Sequence, residues 1–250
     1  MCRPYCPKTA IINNKLHFSI QKEVAEKYPA LRIGVVIARG IKNARENPEL
    51  SALKAKMENE FRAQYSPEDV NTHPTVLAWR ETYRSFGVNP KDHRPTAEAL
   101  LRRIVRGNSA PIINVVVNCY LLAELEWFLP VGGYDLSQIE DDITLRFSEG
   151  EEQFLPLGGG EPETTQKGEV VYADRKKVLT RRWNYKDSDT AKITESSQDI
   201  ALFCEATSLA ITDEAILGSA NLIKDHLFRF CGGEIQSSMI RAQDALSWTL

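Results

Sequence analysis

The periodicity of apolar residues changes near residue 130, and this change constrains the fold more than any other feature of the sequence. Before it, apolar residues recur every three or four positions, which predicts helices. These helices are expected over 48–64, 75–86, 96–106 and 114–128. After it, short β-branched runs alternate with Gly-, Asp- and Lys-containing turns, which predicts strands. These strands are expected at 143–147, 153–155, 169–172, 178–183 and 199–205, with a closing helix over 213–230.

Helices clustered early and strands clustered late predict an α+β fold, and not a repeating βαβ fold. The second half is expected to form an antiparallel or mixed sheet of β-sandwich-like character. A strand at 15–20, a helix at 21–28 and a buried strand at 31–38 precede the helical part. We therefore expect residues 1–73 to form an extension packed on the core, residues 74–232 to form the main domain, and residues 233–250 to form a C-terminal tail.

The composition excludes several classes of function. A net charge of −3 argues against a general nucleic-acid binder, although it permits a local basic face. The sequence has no apolar run of about 18 residues and no secretory signal, so we expect a cytoplasmic protein without membrane contact. Five scattered cysteines, of which only Cys2 and Cys6 are close, and four separated histidines predict no metal site. No phosphate loop, zinc helix or nucleophile elbow is present, and no cofactor is expected.

A basic segment at 89–107 is the first candidate for function. Arg102, Arg103 and Arg106 recur at helical spacing, and Arg94 precedes them. Arginine side chains match phosphate oxygens geometrically, so these four residues are candidates for RNA binding. A solvated helix face is the alternative interpretation.

A largely apolar helix and the segment after it form the second candidate. Asn114 and Asn118 lie four residues apart in this helix, where a buried amide must find hydrogen-bond partners. Asn114 is expected to cap the helix. Gly132 and Gly133, before Tyr134, allow the backbone to approach another strand or a ligand closely.

A third candidate combines a glycine turn with a basic and aromatic segment. Glu161 follows three glycines, where a polar hairpin residue is the simpler interpretation. Arg181 and Arg182 beside Trp183 combine charge with a stacking surface, as in binders of single-stranded nucleic acid. Strand alternation would place Arg182 and Asn184 on one face and Trp183 on the other.

These motifs together resemble the B-three/B-four region of the phenylalanyl-tRNA synthetase beta subunit, and more closely the free-standing proteins built from that region. The order of motifs is an RPT-type helix, PIINVVVNCY, PVGGYDL, EGEEQFLPLGGGE, EVVYAD, RRWN and a KIT segment, covering roughly residues 74–206. The synthetase core is missing, so the resemblance implies an editing and tRNA-binding module and not a synthetase. In the synthetase this region hydrolyses tyrosine wrongly esterified to phenylalanine tRNA, since a phenylalanine pocket rejects one extra hydroxyl poorly.

The resemblance implies an expected pocket and expected partners. Glu161 matches the glutamate that binds the phenol, and Asn118, Tyr134, Arg182 and Asn184 are expected to line the same substrate pocket. The expected partners are tRNA and an amino acid or aminoacyl group, and catalytic residues are not assigned. Segment 182–184 stands where the family has a glycine-rich turn. These bulkier residues are expected to fill the amino-acid pocket or to reshape it for another acyl group. Three functions stay open: a deacylase of misacylated tRNA acting in trans, a non-catalytic RNA- or small-ligand-binding module, and an enzyme acting on amino-acid derivatives.

Overall fold

The structure is a computed structural model, and it describes residues 16–250. Cys2 and Cys6, the two cysteines that are close in sequence, lie outside the described residues. In the described part, the chain has seven α-helices and twelve strands, and none of these helices is long and apolar enough to cross a membrane. The helices are α1 (Lys22–Lys27), α2 (Pro48–Gln64), α3 (Pro67–Thr72), α4 (Pro74–Ser85), α5 (Thr96–Val105), α6 (Val115–Trp127) and α7 (Asp213–Cys231).

The strands concentrate in the second half, which confirms the predicted α+β fold. They are β1 (His17–Ile20), β2 (Arg32–Arg39), β3 (Val131–Asp135), β4 (Ile143–Phe147), β5 (Gln153–Phe154), β6 (Glu163–Thr164), β7 (Val170–Ala173), β8 (Val178–Arg181), β9 (Lys186–Asp187), β10 (Ile200–Ala206), β11 (Glu234–Arg241) and β12 (Ser247–Thr249). Two 3₁₀ turns, Leu136–Gln138 and Asp189–Ala191, join them.

Two sheets pack face to face and form the predicted β-sandwich. A mixed sheet has the order β12-β1-β4-β7-β8-β9, in which only β1 and β4 are parallel, and an antiparallel sheet has the order β11-β2-β10-β3. Successive side chains of β10 point to opposite faces of the antiparallel sheet, so each face packs into a different core. Phe203 joins the core between the sheets, whereas Leu202 and Cys204 join the core under α6 and α7.

Helices α2, α3, α4 and α5 build a third core against α6, with Phe61, Leu101 and Phe128 at its centre. Helix α6 is apolar on all sides and is buried accordingly. Its predicted cap is confirmed, because the Asn114 side chain accepts a hydrogen bond from the Val117 N–H at 3.0 Å. The helix stops at Phe128, which adopts a left-handed conformation.

Several elements differ from the sequence prediction. The turn signals at residues 66–74 enclose the short helix α3, which Ser66 and Asp69 start with a capping box. The PVGGYDL motif forms strand β3. Segment 233–250, expected to be a tail, contains β11 paired with β2 and β12 paired with β1. The domain boundaries themselves stay a prediction.

Candidate functional site: a cleft above buried carboxylates

An open cleft of about 270 Å³ lies where the start of α6 meets β3, the loop after β5 and the turn after β9. Most of its wall is apolar, and its polar groups are few. The lining residues are Ile113, Val117, Tyr120, Gly133, Tyr134, Leu157, Gly158, Asp187, Ser188, Asp189, Ala191, Lys192 and Ile193. Such a volume is at the small end of the range for ligand pockets, so the cleft suits a group of about the size of one amino acid.

A second, deeper cavity shares Tyr134 and Asp187 with the cleft. Its volume of about 10 Å³ is close to the space that one water molecule needs. Polar side chains line much of it: Thr96, Tyr134, Tyr172, Thr180, Asn184, Asp187 and Glu205. The pair of cavities therefore combines an apolar outer site with a polar inner one.

Glycine at position 133 makes this arrangement possible. A Cβ atom there would lie 2.2 Å from Leu202 Cδ2 and 2.7 Å from the Ala201 carbonyl oxygen, so any side chain would force β3 away from β10. The expected close backbone approach is thus an approach to a strand. It holds Tyr134, the next residue, 3% exposed between the two sheets.

A chain of hydroxyl groups connects Tyr134 to Asp187. The Thr180 hydroxyl donates a hydrogen bond to Asp187 Oδ1 at 2.6 Å, and the oxygens of Tyr134 and Thr180 are 2.7 Å apart. Because Thr180 has a single proton to donate, the Tyr134 hydroxyl donates to Thr180. Burial raises the pKa of the Asp187 carboxyl to about 6.

Two more acidic side chains are buried beside Asp187. Glu205 accepts hydrogen bonds from the Tyr172 hydroxyl and from Trp183 Nε1, the latter at 2.8 Å. Burial raises its pKa to about 7, and the Asp187 charge adds to this effect. Glu124 accepts from the Val131 N–H at 2.7 Å. Burial raises the pKa of Glu124 to about 8, again with a contribution from Asp187.

We call Glu124, Asp187 and Glu205 the acid cluster. The groups that donate hydrogen bonds to these three carboxyl groups are all neutral. Among residues 16–250, no ion pair within 4 Å involves any of the three. The same part of the chain contains no group of three acidic, histidine or cysteine side chains arranged to hold a metal ion. Asp187 and Glu205 line the inner cavity and have a pKa near neutrality, so they are candidates for proton transfer, whereas Glu124 lines neither cavity.

Two of the five residues expected in a substrate pocket lie at these cavities. Tyr134 lines both, and Asn184 lines the inner one, where its Oδ1 accepts from the Tyr83 hydroxyl at 2.8 Å. Asn118 is buried in α6 with its Oδ1 unpaired, outside both linings. Arg182 lies 3.6 Å from Glu169 and over the Tyr185 ring, also outside both.

Glu161 is exposed on the loop after the glycine turn and does not line either cavity. The turn itself contributes to the cleft through Leu157 and Gly158. The phenol-binding role assigned to Glu161 by resemblance therefore stays a prediction.

The expected strand alternation at residues 182–184 is wrong. Strand β8 ends at Arg181, and Arg182 and Trp183 both adopt left-handed conformations, with φ of 50° and 66°. The turn buries Trp183 completely, so its ring packs on Trp79 and Tyr28 and offers no stacking surface to a nucleic acid. The physical reason is a contact between residues distant in sequence, because the Trp183 N–H donates a hydrogen bond to the carbonyl oxygen of Val170 in β7.

The four arginines expected to bind RNA separate into two groups. Arg94 and Arg102 line a groove of about 580 Å³ beside α5. Arg103 instead donates to the Ser109 carbonyl at 2.6 Å, and Arg106 is exposed at the C-cap of α5. RNA binding by these residues stays a prediction.

The acid cluster was missed from the sequence, although a signal was present. Glu124 stands within the apolar run LLAEL and Glu205 within ALFCEA, and a single acid in a buried element is a common sign of function. Asp187 carries no such signal, because it lies in a polar, turn-rich segment.

Comparison with known families identifies the chain. A sequence model of the B3/4 domain matches residues 78–231, from within α4 to the end of α7 and more than half of the protein. The chain belongs to the B3/4 domain family. This result confirms the B-three/B-four relationship that the motifs indicated, and the cleft and acid cluster lie within the matched region.

The B3/4 domain protein also has a distant structural neighbour. An N-terminal fragment of the phenylalanyl-tRNA synthetase beta subunit from Pyrococcus horikoshii aligns with a TM-score of 0.45 and 12% identity. The alignment covers 89% of this chain and 53% of that fragment, so the chain spans about half the length of the fragment. A search of curated proteins finds no match.

Proposed function

We propose that this B3/4 domain protein hydrolyses the ester of misacylated tRNA in trans, with the acyl group in the cleft. The observation that carries the proposal is the position of Asp187. Its carboxyl lies at the boundary between an apolar cleft of amino-acid size and an inner cavity of one-water size. Membership in the B3/4 family supports tRNA as the carrier of the ester.

Asp187 is suited to act as a general base. With a pKa of about 6, the carboxyl is largely ionised at neutral pH and still basic enough to accept a proton from water. Water in the inner cavity attacks the ester carbonyl carbon and transfers its proton to Asp187. The bond to the ribose oxygen then breaks, that oxygen takes up a proton, and the free amino acid and tRNA leave.

The cleft wall selects the acyl group. Ile113, Val117 and Ile193 provide an apolar surface for a side chain, whereas Tyr120 and Tyr134 provide aromatic surface and hydroxyl groups. A tyrosyl side chain matches this combination of an apolar body and a polar tip. Lys192 and Asp189, paired at 2.8 Å, close one side of the cleft.

A second candidate function uses the same cleft without RNA. The cleft is large enough for an aminoacyl group, and an ester of a small alcohol would place its carbonyl beside Asp187 in the same way. An enzyme acting on amino-acid derivatives is therefore the alternative. The two candidates differ in whether the tRNA increases the rate.

The deciding experiment measures release of tyrosine from tyrosyl-tRNA(Phe), with phenylalanyl-tRNA(Phe) and tyrosine methyl ester as parallel substrates. We expect faster release from tyrosyl-tRNA(Phe) than from the other two. Equal rates on the tRNA and the methyl ester would favour the small-molecule enzyme. No release from any substrate by a folded protein would contradict both candidates.

A further inference from the structure

A groove on the opposite side of α5 from the acid cluster concentrates positive charge. Its volume of about 580 Å³ exceeds that of the cleft. Five basic side chains and two carboxylates contribute to its wall. They are Arg80, Arg84, Lys91, Arg94 and Arg102, with Glu68 and Glu98.

Glu98 lies buried at the base of this groove and holds the surrounding arginines in position. It is 2% exposed, and Arg80 binds both of its carboxylate oxygens, at 2.9 and 2.8 Å. Arg94 lies 3.8 Å and Arg102 lies 3.7 Å from the same carboxylate. The three guanidinium groups around Glu98 leave an excess of two positive charges, and the whole wall, with five basic and two acidic side chains, has an excess of three.

The polar neighbours hold these arginines in place without neutralising them. Asn71 accepts hydrogen bonds from Arg80 and Arg102, and Asn71 carries no charge. Burial lowers the pKa of Arg102; the Glu98 carboxylate opposes this shift, and repulsion from Arg94, Arg106 and Arg80 adds to it. An incoming anion would relieve this repulsion.

We infer that the groove binds a dianionic phosphate group, a phosphate monoester. Arginine forks match phosphate oxygens, and an excess of more than one positive charge matches a dianionic monoester better than the single charge of a backbone diester. With RNA as the partner, which rests on the proposed function, the monoester is the 5′-terminal phosphate of the tRNA acceptor stem. That phosphate lies beside the 3′ end that carries the acyl group.

The position of α5 supports a joint use of groove and cleft. Thr96, the first residue of α5, lines the inner cavity, whereas Glu98, two residues further along the helix, lines the groove. Residues two apart on a helix point to nearly opposite sides, so the two sites are separated by roughly the 10 Å diameter of a helix. The few unpaired nucleotides at the 3′ end of a tRNA can span this separation.

The test compares the binding of acceptor-stem RNA hairpins that carry either a 5′-phosphate or a 5′-hydroxyl, and of inorganic phosphate alone. We expect the 5′-phosphate to strengthen hairpin binding about tenfold, the effect of one charge-assisted hydrogen bond. The double variant Lys91→Gln/Arg94→Gln should lose this difference. Both residues are exposed, so the substitutions leave the buried Arg80–Glu98 pair intact.

The matched control is Arg103→Gln/Arg106→Gln, which removes the same charge from the same stretch of chain but outside the groove lining. It should keep the tenfold difference. Equal binding of both hairpins by the wild-type protein, together with no binding of inorganic phosphate, would overturn the inference. Equal loss in the two double variants would also overturn it, since only general charge would then matter.

Two further outcomes separate the sources of the phosphate. Groove-dependent binding of inorganic phosphate, without any gain from the 5′-phosphate of the hairpin, would support the phosphate site and reject RNA as its source. A 5′-phosphate effect in a protein that releases no amino acid would support the inference and contradict the proposed hydrolysis. The two proposals can therefore fail separately.

Discussion

Buried carboxylates on the two sides of α5 are compensated in opposite ways. On the groove side, Glu98 is surrounded by Arg80, Arg94 and Arg102. On the cleft side, the acid cluster receives hydrogen bonds from hydroxyl, indole and backbone N–H groups, and no cation among residues 16–250 pairs with it. Glu98, Glu124 and Glu205 are all at most 2% exposed and Asp187 is half-buried, so the main difference between the two sites is the charge of their neighbours.

This difference indicates which of the two sites can transfer protons and which can bind an anion. A buried carboxylate surrounded by three cations holds those cations in position, which suits a binding surface. An acid without a cationic partner keeps its proton to a higher pH because burial disfavours the charged form. The acid cluster is therefore suited to proton transfer, and the groove is suited to anion binding.

The largest expected effect comes from replacing the base. Asp187→Asn keeps the size of the side chain and removes its basicity, so we expect hydrolysis of tyrosyl-tRNA(Phe) to fall about 10²- to 10⁴-fold. Single-turnover assays with saturating enzyme measure this step. Asp189→Asn is the control, since Asp189 lines the same cleft but is paired with Lys192. Equal losses in both variants would mean that Asp187 has no special role.

The same substitution on the two sides of α5 should have different effects on stability. Glu98→Gln removes the charge that three arginines share, and we expect the free energy of unfolding to fall by about 2 kcal/mol at pH 8. Glu124→Gln keeps an oxygen that can accept from the Val131 N–H and removes a costly buried charge. We expect this variant to be as stable as the wild type or more stable. Urea unfolding measures both, and a larger loss in Glu124→Gln would reverse the comparison.

The acid cluster should also make stability depend on pH. The pKa of Glu124 is raised to about 8 in the folded protein, above the ordinary 4.5, so the folded state retains a proton that the unfolded state releases. Between about pH 4.5 and 8 this residue therefore lowers stability as pH rises, by at most about 1.4 kcal/mol per pH unit. Unfolding curves of Glu124→Gln should show a smaller decline over this range. An unchanged pH slope in the variant would contradict the raised pKa.

The rate of hydrolysis should follow the ionisation of Asp187. Because the ionised form is the base and its pKa is raised to about 6, we expect the rate to rise with pH and to level off above about pH 7. Rates measured between pH 5 and 8, with correction for spontaneous ester hydrolysis, test this. A rate independent of pH in this range would exclude Asp187 as the titrating base.

The smallest expected effect is that of Glu161→Ala. Its exposure predicts a change of less than about threefold in the rate on tyrosyl-tRNA(Phe), as for most surface substitutions. The ratio of rates on tyrosyl- and phenylalanyl-tRNA(Phe) shows whether the residue affects selectivity. A loss of this selectivity would support the phenol-binding role that the resemblance implies.

The periodic parts of the fold could be predicted from the sequence because their signals are local. Helix α2 begins and ends at the predicted residues, since Asn47 caps it and its apolar face is regular. Strand β11 could not be predicted, because it is an edge strand whose alternation of exposed and half-buried residues carries little apolar signal. The turn at Arg182 depends on its contact with Val170, which no local rule supplies.

The candidate site was predicted only in part. Tyr134 was recognised from the motif around it, and its place at both cavities follows from the fold. Asp187 reaches the cavities through the pairing of β8 with β9, where Thr180 stands opposite Asp187. Such a contact depends on strand register, which cannot be read from residue types alone.

Titration of individual carboxyl groups by carbon NMR tests the central claim most directly. The account predicts that Asp187 titrates near pH 6, Glu205 near 7 and Glu124 near 8, whereas Asp189, paired with Lys192, titrates below its ordinary value. If all three members of the acid cluster titrated near pH 4, they would be ordinary acids at neutral pH. The distinction between the two sides of α5 would then be wrong.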